Sequence, residues 1–286
     1  MAKMKQNKLS FNRSIIWILG STLLISGSSA MAWLYFLQMK DKRLNDDQYR
    51  IVAIVQSSDR PEALKTSFLA EILELSMDRP VNLYRFNLKD AERKLQSCPL
   101  VKKASIKKIL PGTLYIHYKL RRPCAILGDC ANTAIDKKGN LFPFKPFFTP
   151  KNLPVLYLDE RHKDDLNWGR ALNEQQLDLF LDLSRNFLQL NFEHFMVTQI
   201  DLSHVQDESC GQRQIVIVLK EINAGSVSSE SRKIYIRLDV EHYKQGIKNF
   251  YQLFQKYFRG SNRDVKQVIV DLRLSHLAFI KNEKYT

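Results

Sequence analysis

The chain has only four cysteines in 286 residues, and none forms a CxxC pair. At least five residues separate Cys98, Cys124, Cys130 and Cys210 from one another, and no histidine cluster accompanies them. That spacing offers neither a dithiol redox motif nor the ligand pattern of a zinc site. Also missing are the G-x-S-x-G elbow, the H-E-x-x-H helix and any phosphate-binding loop. The common frameworks for an activated nucleophile, a metalloprotease or a nucleotide hydrolase are therefore absent. The six histidines are dispersed, and His117 falls on the apparent solvent face of a strand. Asp164 and Asp165 read as a solvated loop, and Asp136-Lys137-Lys138-Gly139 as a hairpin turn, since no further ligands follow at calcium-loop spacing.

Acidic side chains are also the minority, which leaves a formal charge of +14. Of this, +6 lies in residues 1–43, and the remaining +8 is spread over 44–286 without a dense basic block. There is no RNA-binding aromatic signature and no basic helix of recognition character, so the charge pattern does not support nucleic-acid binding.

Long apolar runs are equally scarce, with one exception. Residues 14–38, SIIWILGSTLLISGSSAMAWLYFLQ, carry no charged side chain. As a helix, residues 15–37 span about 34 Å, slightly more than a hydrocarbon core of about 30 Å. Trp17 lies near one end and Trp33, Tyr35 and Phe36 near the other, where interfacial aromatics anchor a span. Four basic residues and no acid precede the run, which places the N-terminus in the cytoplasm and the bulk of the chain outside. Ala30-Met31-Ala32 has the form of a signal-peptide cleavage site. The run continues through Trp33-Leu34-Tyr35-Phe36-Leu37, past the end of a short signal core, and this favours an uncleaved anchor. In an exported chain, Cys124 and Cys130 are the first candidates for a disulfide, bracketing a tight hairpin in CAILGDC; the alternative is four separate, half-buried thiols.

Beyond the span, YRIVAIVQ (49–56) reads as a strand. Residues 58–76 read as a helix with Leu64, Phe68, Leu69, Ile72 and Leu75 inward, capped by Ser58 or Asp59 with Pro61 in the first turn. A second helix fits 87–98, with Asn87 as cap and Leu88, Ala91 and Leu95 facing in. LVKKASIKKIL (100–110) reads as an exposed strand, and PGTLYIHYKL alternates Leu114, Ile116, Tyr118 and Leu120 as another. Pro123 ends that strand before CAIL begins the next. The order β-α-α-β-β describes a small α+β unit.

PLVKKASIKKILPGTLYIHYKLRRPCAIL resembles the closing segment of a POTRA domain and the seam after it in the FtsQ/DivIB cell-division family. The residues that carry the resemblance are Pro99, Val101, Ala104, Pro111, Thr113, Leu114, Arg122 and Pro123. AIDKKGNLF (134–142), NLPVLYL (152–158) and Asp271-Leu272-Arg273 match later features of that family in order. The family's aromatic after Asp-Leu-Arg is replaced here by Leu274, and its following glycine is missing from SHLAF.

The remaining chain reads as a helix over 173–188 with Leu177, Phe180, Leu181, Phe187 and Leu188 on one face. Strands follow at 196–202 and 214–220, then a polar loop at 223–231 and a strand at 232–240. Residues 241–258 form an amphipathic helix with Tyr243, Ile247, Phe250, Phe254 and Tyr257 as a stripe, and 264–282 close with two apolar runs.

The expected fold is α+β, in five parts: a cytoplasmic tail (1–13), a transmembrane helix (14–38), a linker (39–48), a POTRA domain (49–122) and a mainly antiparallel β module with flanking helices (123–286). The resemblance implies a non-enzymatic scaffold of the division septum without cofactor or metal. It sits in the cytoplasmic membrane, with its C-terminal part outside and the POTRA unit serving recruitment. Its implied partners are FtsB-like and FtsL-like single-pass coiled-coil proteins. They would dock by β-augmentation at an edge formed by Asp271, Arg273, Leu274, Ser275, Leu277, Ala278, Phe279 and Ile280. Two other readings stand beside it: a POTRA-bearing secretion or outer-membrane assembly component, and a membrane-anchored periplasmic hydrolase.

Overall fold

The computed structural model describes residues 8–59, 63–76, 78–149, 152–158, 167–190, 192, 194–209, 211–222, 231–258, 265–274 and 276–284. Asp164, Asp165, His162 and nearly all of the polar loop 223–231 lie outside these residues.

Helix α1 (Lys8–Asn45) does not stop where the apolar run ends but continues to Asn45. The stretch from Ile15 to Asn45 is long and apolar enough to cross a membrane, and none of its most apolar window is buried within the protein. A 3-10 turn (Asp47–Tyr49) leads into β1 (Ala53–Ser58), which starts and ends later than the alternation at 49–56 suggests.

The first helix after β1 is shorter than expected. Because β1 runs through Ser58, helix α2 covers only Thr66–Ile72, and Lys65 begins it without a side-chain cap. Leu69 is its buried residue, and Leu64 before it and Leu73 at its C-cap are buried as well. The helix closes with Leu75 N–H on the Ala70 carbonyl and Glu74 N–H on Glu71, around a left-handed Glu74 (φ 55°). Helix α3 (Leu88–Ser97) starts as its sequence implies, with the Asn87 side-chain oxygen accepting from the backbone N–H groups of Lys89 and Asp90. Strands β2 (Val101–Ile109) and β3 (Thr113–Leu120) complete a three-stranded sheet in the order β1-β3-β2. In β3, Leu114, Ile116, Tyr118 and Leu120 are all buried, as the period of two requires.

Among the described residues the second sheet has nine strands: β4 (Ala125–Leu127), β5 (Thr133–Ile135), β6 (Leu141–Pro143), β7 (Val155–Tyr157), β8 (Phe195–Asp201), β9 (Ile215–Glu221), β10 (Lys233–Leu238), β11 (Val265–Leu272) and β12 (Phe279–Lys284). Their order is β12-β11-β10-β9-β8-β7-β4-β5-β6. Most neighbours are antiparallel, but β10/β11, β7/β8 and β4/β7 run parallel. Helix α4 (Glu174–Gln189) is capped by Asn173, and helix α5 (Tyr243–Leu253) runs into a π turn (Phe254–Phe258). Leu177, Phe180, Leu183 and Phe187 of α4 and Ile247, Phe250, Phe254 and Phe258 pack with Ile217, Ile236 and Val270 into one core.

Two inward positions differ from the sequence pattern. Leu183 replaces Leu188, which is exposed. Phe258 replaces Tyr257 because the π turn inserts one extra residue and carries the buried stripe on as 250, 254, 258.

The AIDKKGNLF segment is a hairpin between β5 and β6, in which the Asp136 Oδ1 accepts from the backbone N–H groups of Lys138 and Asn140. Gly139 closes it at φ +77°. Cys124 and Cys130 are separate thiols in this structure, not a disulfide. The 124–130 segment does not fold back on itself, because β4 pairs instead with β5 and β7. Burial pushes the Cys124 thiol up to about 11, with the Asp136 charge adding to the effect.

The chain divides into two compact units. One takes Met1–Ser57, Lys65–Arg93 and Ser105–His117, and the other Ser58–Leu64, Lys94–Ala104 and Tyr118–Thr286.

Candidate partner-binding edge

The two outer strands of the nine-stranded sheet are built differently. At one end β6 is only three residues long, ends in Pro143 and is fully buried. Its outer backbone is covered: the Leu141 N–H donates to the Arg170 carbonyl at 2.9 Å, and the Gly169 N–H donates back to Leu141 at 2.9 Å. A bridge between Asn140 and Ala171 continues this strap. Proline, shortness and a covering segment are the usual ways of closing a sheet edge.

At the other end β12 is six residues long, contains no proline and, among the described residues, pairs antiparallel with β11 alone. Its register sets Phe279 opposite Asp271 and Ile280 opposite Val270. Val270 is buried on the helix-covered face, so Ile280 lies on that face and Phe279 on the other. Phe279 is nonetheless 60% exposed and Ile280 43%. Leu274 and Leu277 are also exposed, in the turn between β11 and β12, where the Leu277 N–H donates to the Leu274 carbonyl. Ala278 is exposed beside them, while Ser275 lies outside the described residues. A groove of ≈ 460 Å³ runs along this turn between Leu272, His276, Leu277 and Ala278 on one side and Leu253 and Tyr257 on the other.

Asp271 and Arg273 play a different part from their apolar neighbours. Arg273 Nη2 lies 2.8 Å from Asp271 Oδ2 and its Nε 3.0 Å from Oδ1, a forked pair. The Arg273 Nη1 donates to the Gly211 carbonyl at 2.9 Å. Arg237 Nη1 stands 3.9 Å from the same carboxylate. Burial raises the Asp271 carboxyl, but the Arg273 hydrogen bonds and the two guanidinium charges outweigh it and hold the group below its ordinary value. The hydrogen bond to Asp271 likewise raises the Arg273 guanidinium. Both side chains are thus spent within the fold, fixing the end of β11 from which the exposed turn departs.

The expected site residues therefore fall into two sets, an apolar exposed one and a paired polar one. Sequence reasoning missed Arg237, Gly211 and the strap over β6. Only Pro143 and the shortness of β6 carried any local sign of the last. Among the described residues, no three His, Cys, Asp or Glu side chains come together as metal ligands. The Asp136 carboxylate is occupied by its own turn and by Arg121.

Residues 62–118 match the family of FtsQ-type POTRA domains. Nothing among curated proteins matches the chain. The match lies on the segment that holds α2, α3, β2 and most of β3, and it supports an FtsQ/DivIB-like, division-related protein. Together with α1 it fits a single-pass protein of the inner membrane.

Proposed function

We propose that the chain is a non-enzymatic scaffold of the division septum. On this reading α1 anchors it in the cytoplasmic membrane with the N-terminal tail inside, residues 49–122 form the POTRA domain and 123–286 the β module outside. Its partners are FtsB-like and FtsL-like single-pass coiled-coil proteins, and they dock by adding a strand to β12. The observation that carries this is the contrast between the two sheet edges. One is closed by proline and a strap, whereas the other ends in a longer strand bearing Phe279 and Ile280 in water. A strand added at β12 gains backbone hydrogen bonds for affinity, and the exposed apolar side chains on both faces give specificity. Confinement of both partners to one membrane raises their effective concentration without any new contact.

The test is capture from native membranes with the full-length chain as bait, beside Phe279→Asp. Small single-span coiled-coil proteins should accompany the wild type and be lost with the variant, whose far-UV circular dichroism stays unchanged. Equal capture by both would remove β12 as the docking edge. Capture of a secretion channel in place of such proteins would remove the scaffold reading.

A further inference from the structure

The end of the first unit nearest α1 carries apolar side chains that its own fold leaves in water. Val52 is 84% exposed and Leu110 60%, with Ile109 and Pro111 exposed beside them. These residues form one patch, since the Val52 N–H donates to the Gly112 carbonyl at 2.9 Å. A Cβ on Gly112 would lie 2.1 Å from the Arg50 carbonyl oxygen, so the β2–β3 turn is pressed against the segment between the 3-10 turn and β1. Exposed apolar groups gathered in this way mark an interaction surface.

The end of α1 is fastened beside that patch. The Asn82 Nδ2 donates to the carbonyls of Arg43 at 2.9 Å and Asp46 at 3.3 Å. The Arg85 Nη2 donates to Asn45 Oδ1 at 2.7 Å, and the Arg43 guanidinium lies over the Tyr84 ring. Arg50 bridges to Asn82, and the next segment over is Gly112, so the turn lies about two strand spacings, or about 10 Å, from the clasp. From Leu37, the last apolar residue of the uncharged run, to Asn45 the helix rises about 12 Å. The headgroup layer on each side of a bilayer is roughly 5–8 Å deep. The clasp thus stands a few ångströms outside the headgroups, and the turn lies within about 10 Å of it, close enough to reach the surface.

The charge around the patch suits that position. Lys107 and Lys108 directly precede the patch in the chain, Arg43 and Arg85 belong to the clasp, and Lys40 and Lys42 stand on the last turns of α1, against Asp41, Asp46 and an Asp47 already paired with Arg50. Apolar tips flanked by long basic side chains are the composition of a surface that rests in an anionic interface.

We propose that Val52 and the 109–111 turn dip into the outer surface of an anionic phospholipid bilayer, so that this unit lies on the membrane. The proposal rests on α1 crossing that membrane. The experiment places the full-length Leu110→Trp and Val52→Trp variants in vesicles of phosphatidylglycerol and phosphatidylcholine, with and without brominated acyl chains. Emission added over the parent chain reports the new tryptophan. It should be blue-shifted and lose most of its intensity to the brominated lipid. Added emission at the free-water position would overturn the proposal. So would buried but unquenched emission, which would mean that a second copy covers the patch. Trp17 and Trp33 of α1 are internal controls. If they escape quenching, the membrane span has failed, and if they alone are quenched, only the surface contact has failed.

Discussion

Arg121, one residue beyond β3, places its Nη1 3.1 Å from the Asp136 Oδ2 at the β5–β6 turn. The same guanidinium donates through Nε to the Pro99 carbonyl at 2.8 Å, and its backbone N–H donates to Leu100. Both side chains are largely shielded from water, at 19% and 9% exposed. Arg121→Ala should therefore lower stability by about 1.5–3 kcal/mol, the range for hydrogen bonds to charged groups. Arg121→Lys should recover little, because its single nitrogen cannot stand at both positions from which Nε and Nη1 reach the Pro99 carbonyl and the Asp136 carboxylate. Thermal unfolding of the detergent-solubilised chain would measure both, and a lysine variant as stable as wild type would refute the fork.

The π turn after α5 predicts opposite outcomes for adjacent aromatics. Phe258 is buried against Phe250 and Phe254, so Phe258→Ala should cost about 3–5 kcal/mol. Tyr257 is exposed, and Tyr257→Ala should stay within about 0.5 kcal/mol of wild type. An uninterrupted α-helix would reverse the ranking, and urea unfolding midpoints decide between them.

That same turn shows what could be read beforehand and what could not. Period-two alternation located β3 and each of its inward side chains, because they all come from one continuous run. The aromatic stripe of α5 located the helix but not its last contact, since a π insertion leaves no mark in apolar spacing. Helix α2 was over-read because Ser58 and Asp59 have the right chemistry for a cap, while backbone pairing carries β1 through Ser58. At the sheet edge, the exposed apolar turn was legible as an apolar run near the C-terminus. The Arg273 contact with Gly211 was not, because the partner is a backbone carbonyl 62 positions away. The parallel pairing of β10 with β11 was equally hidden, since a crossover connection fixes it and no local pattern does.

The Tyr243 hydroxyl donates to Asp182 Oδ2 at 2.6 Å, and Lys244 Nζ reaches the same oxygen at 3.1 Å. Burial, with the hydrogen bond and charge of Asp182, pushes the Tyr243 phenol up to about 12. The hydrogen bond from Tyr243, aided by Lys244, holds the Asp182 carboxyl below its ordinary value. The unfolded tyrosine ionises near 10.0, while the folded one keeps its proton. Stability from this contact is therefore present below that pH and declines as pH rises towards about 12. At the acid end, the Asp182 contribution is present above 3.8 and is withdrawn as pH falls through its lower folded value. Ultraviolet titration should find a tyrosine proton still held at pH 11 that Tyr243→Phe removes.

Asn82 holds the end of α1 with both ends of its amide. Its Nδ2 donates to the Arg43 and Asp46 carbonyls, and its Oδ1 accepts from the Tyr84 N–H at 2.8 Å. Carbonyls in the last turn of a helix have no partner within it, so a side chain that reaches them decides whether the end frays. Asn82→Ala should leave the Arg43 carbonyl without this donor, while the Asp46 carbonyl, beyond the helix, still accepts from the Tyr49 N–H. The expected cost is about 1–2 kcal/mol, with faster amide exchange over residues 43–50 and the bond after Arg43 opened to trypsin in membranes. Asn82→Asp separates the two functions of the amide. A carboxylate keeps the acceptor for Tyr84 but has no donor for Arg43, and it sets a negative charge against two carbonyl oxygens. If donation to α1 is what matters, Asp should behave like Ala in exchange and proteolysis. If Asp instead behaves like wild type, the loop's own turn at Tyr84 is what Asn82 serves, and the continuity of α1 into the first unit depends on Arg85 and the Arg43–Tyr84 contact.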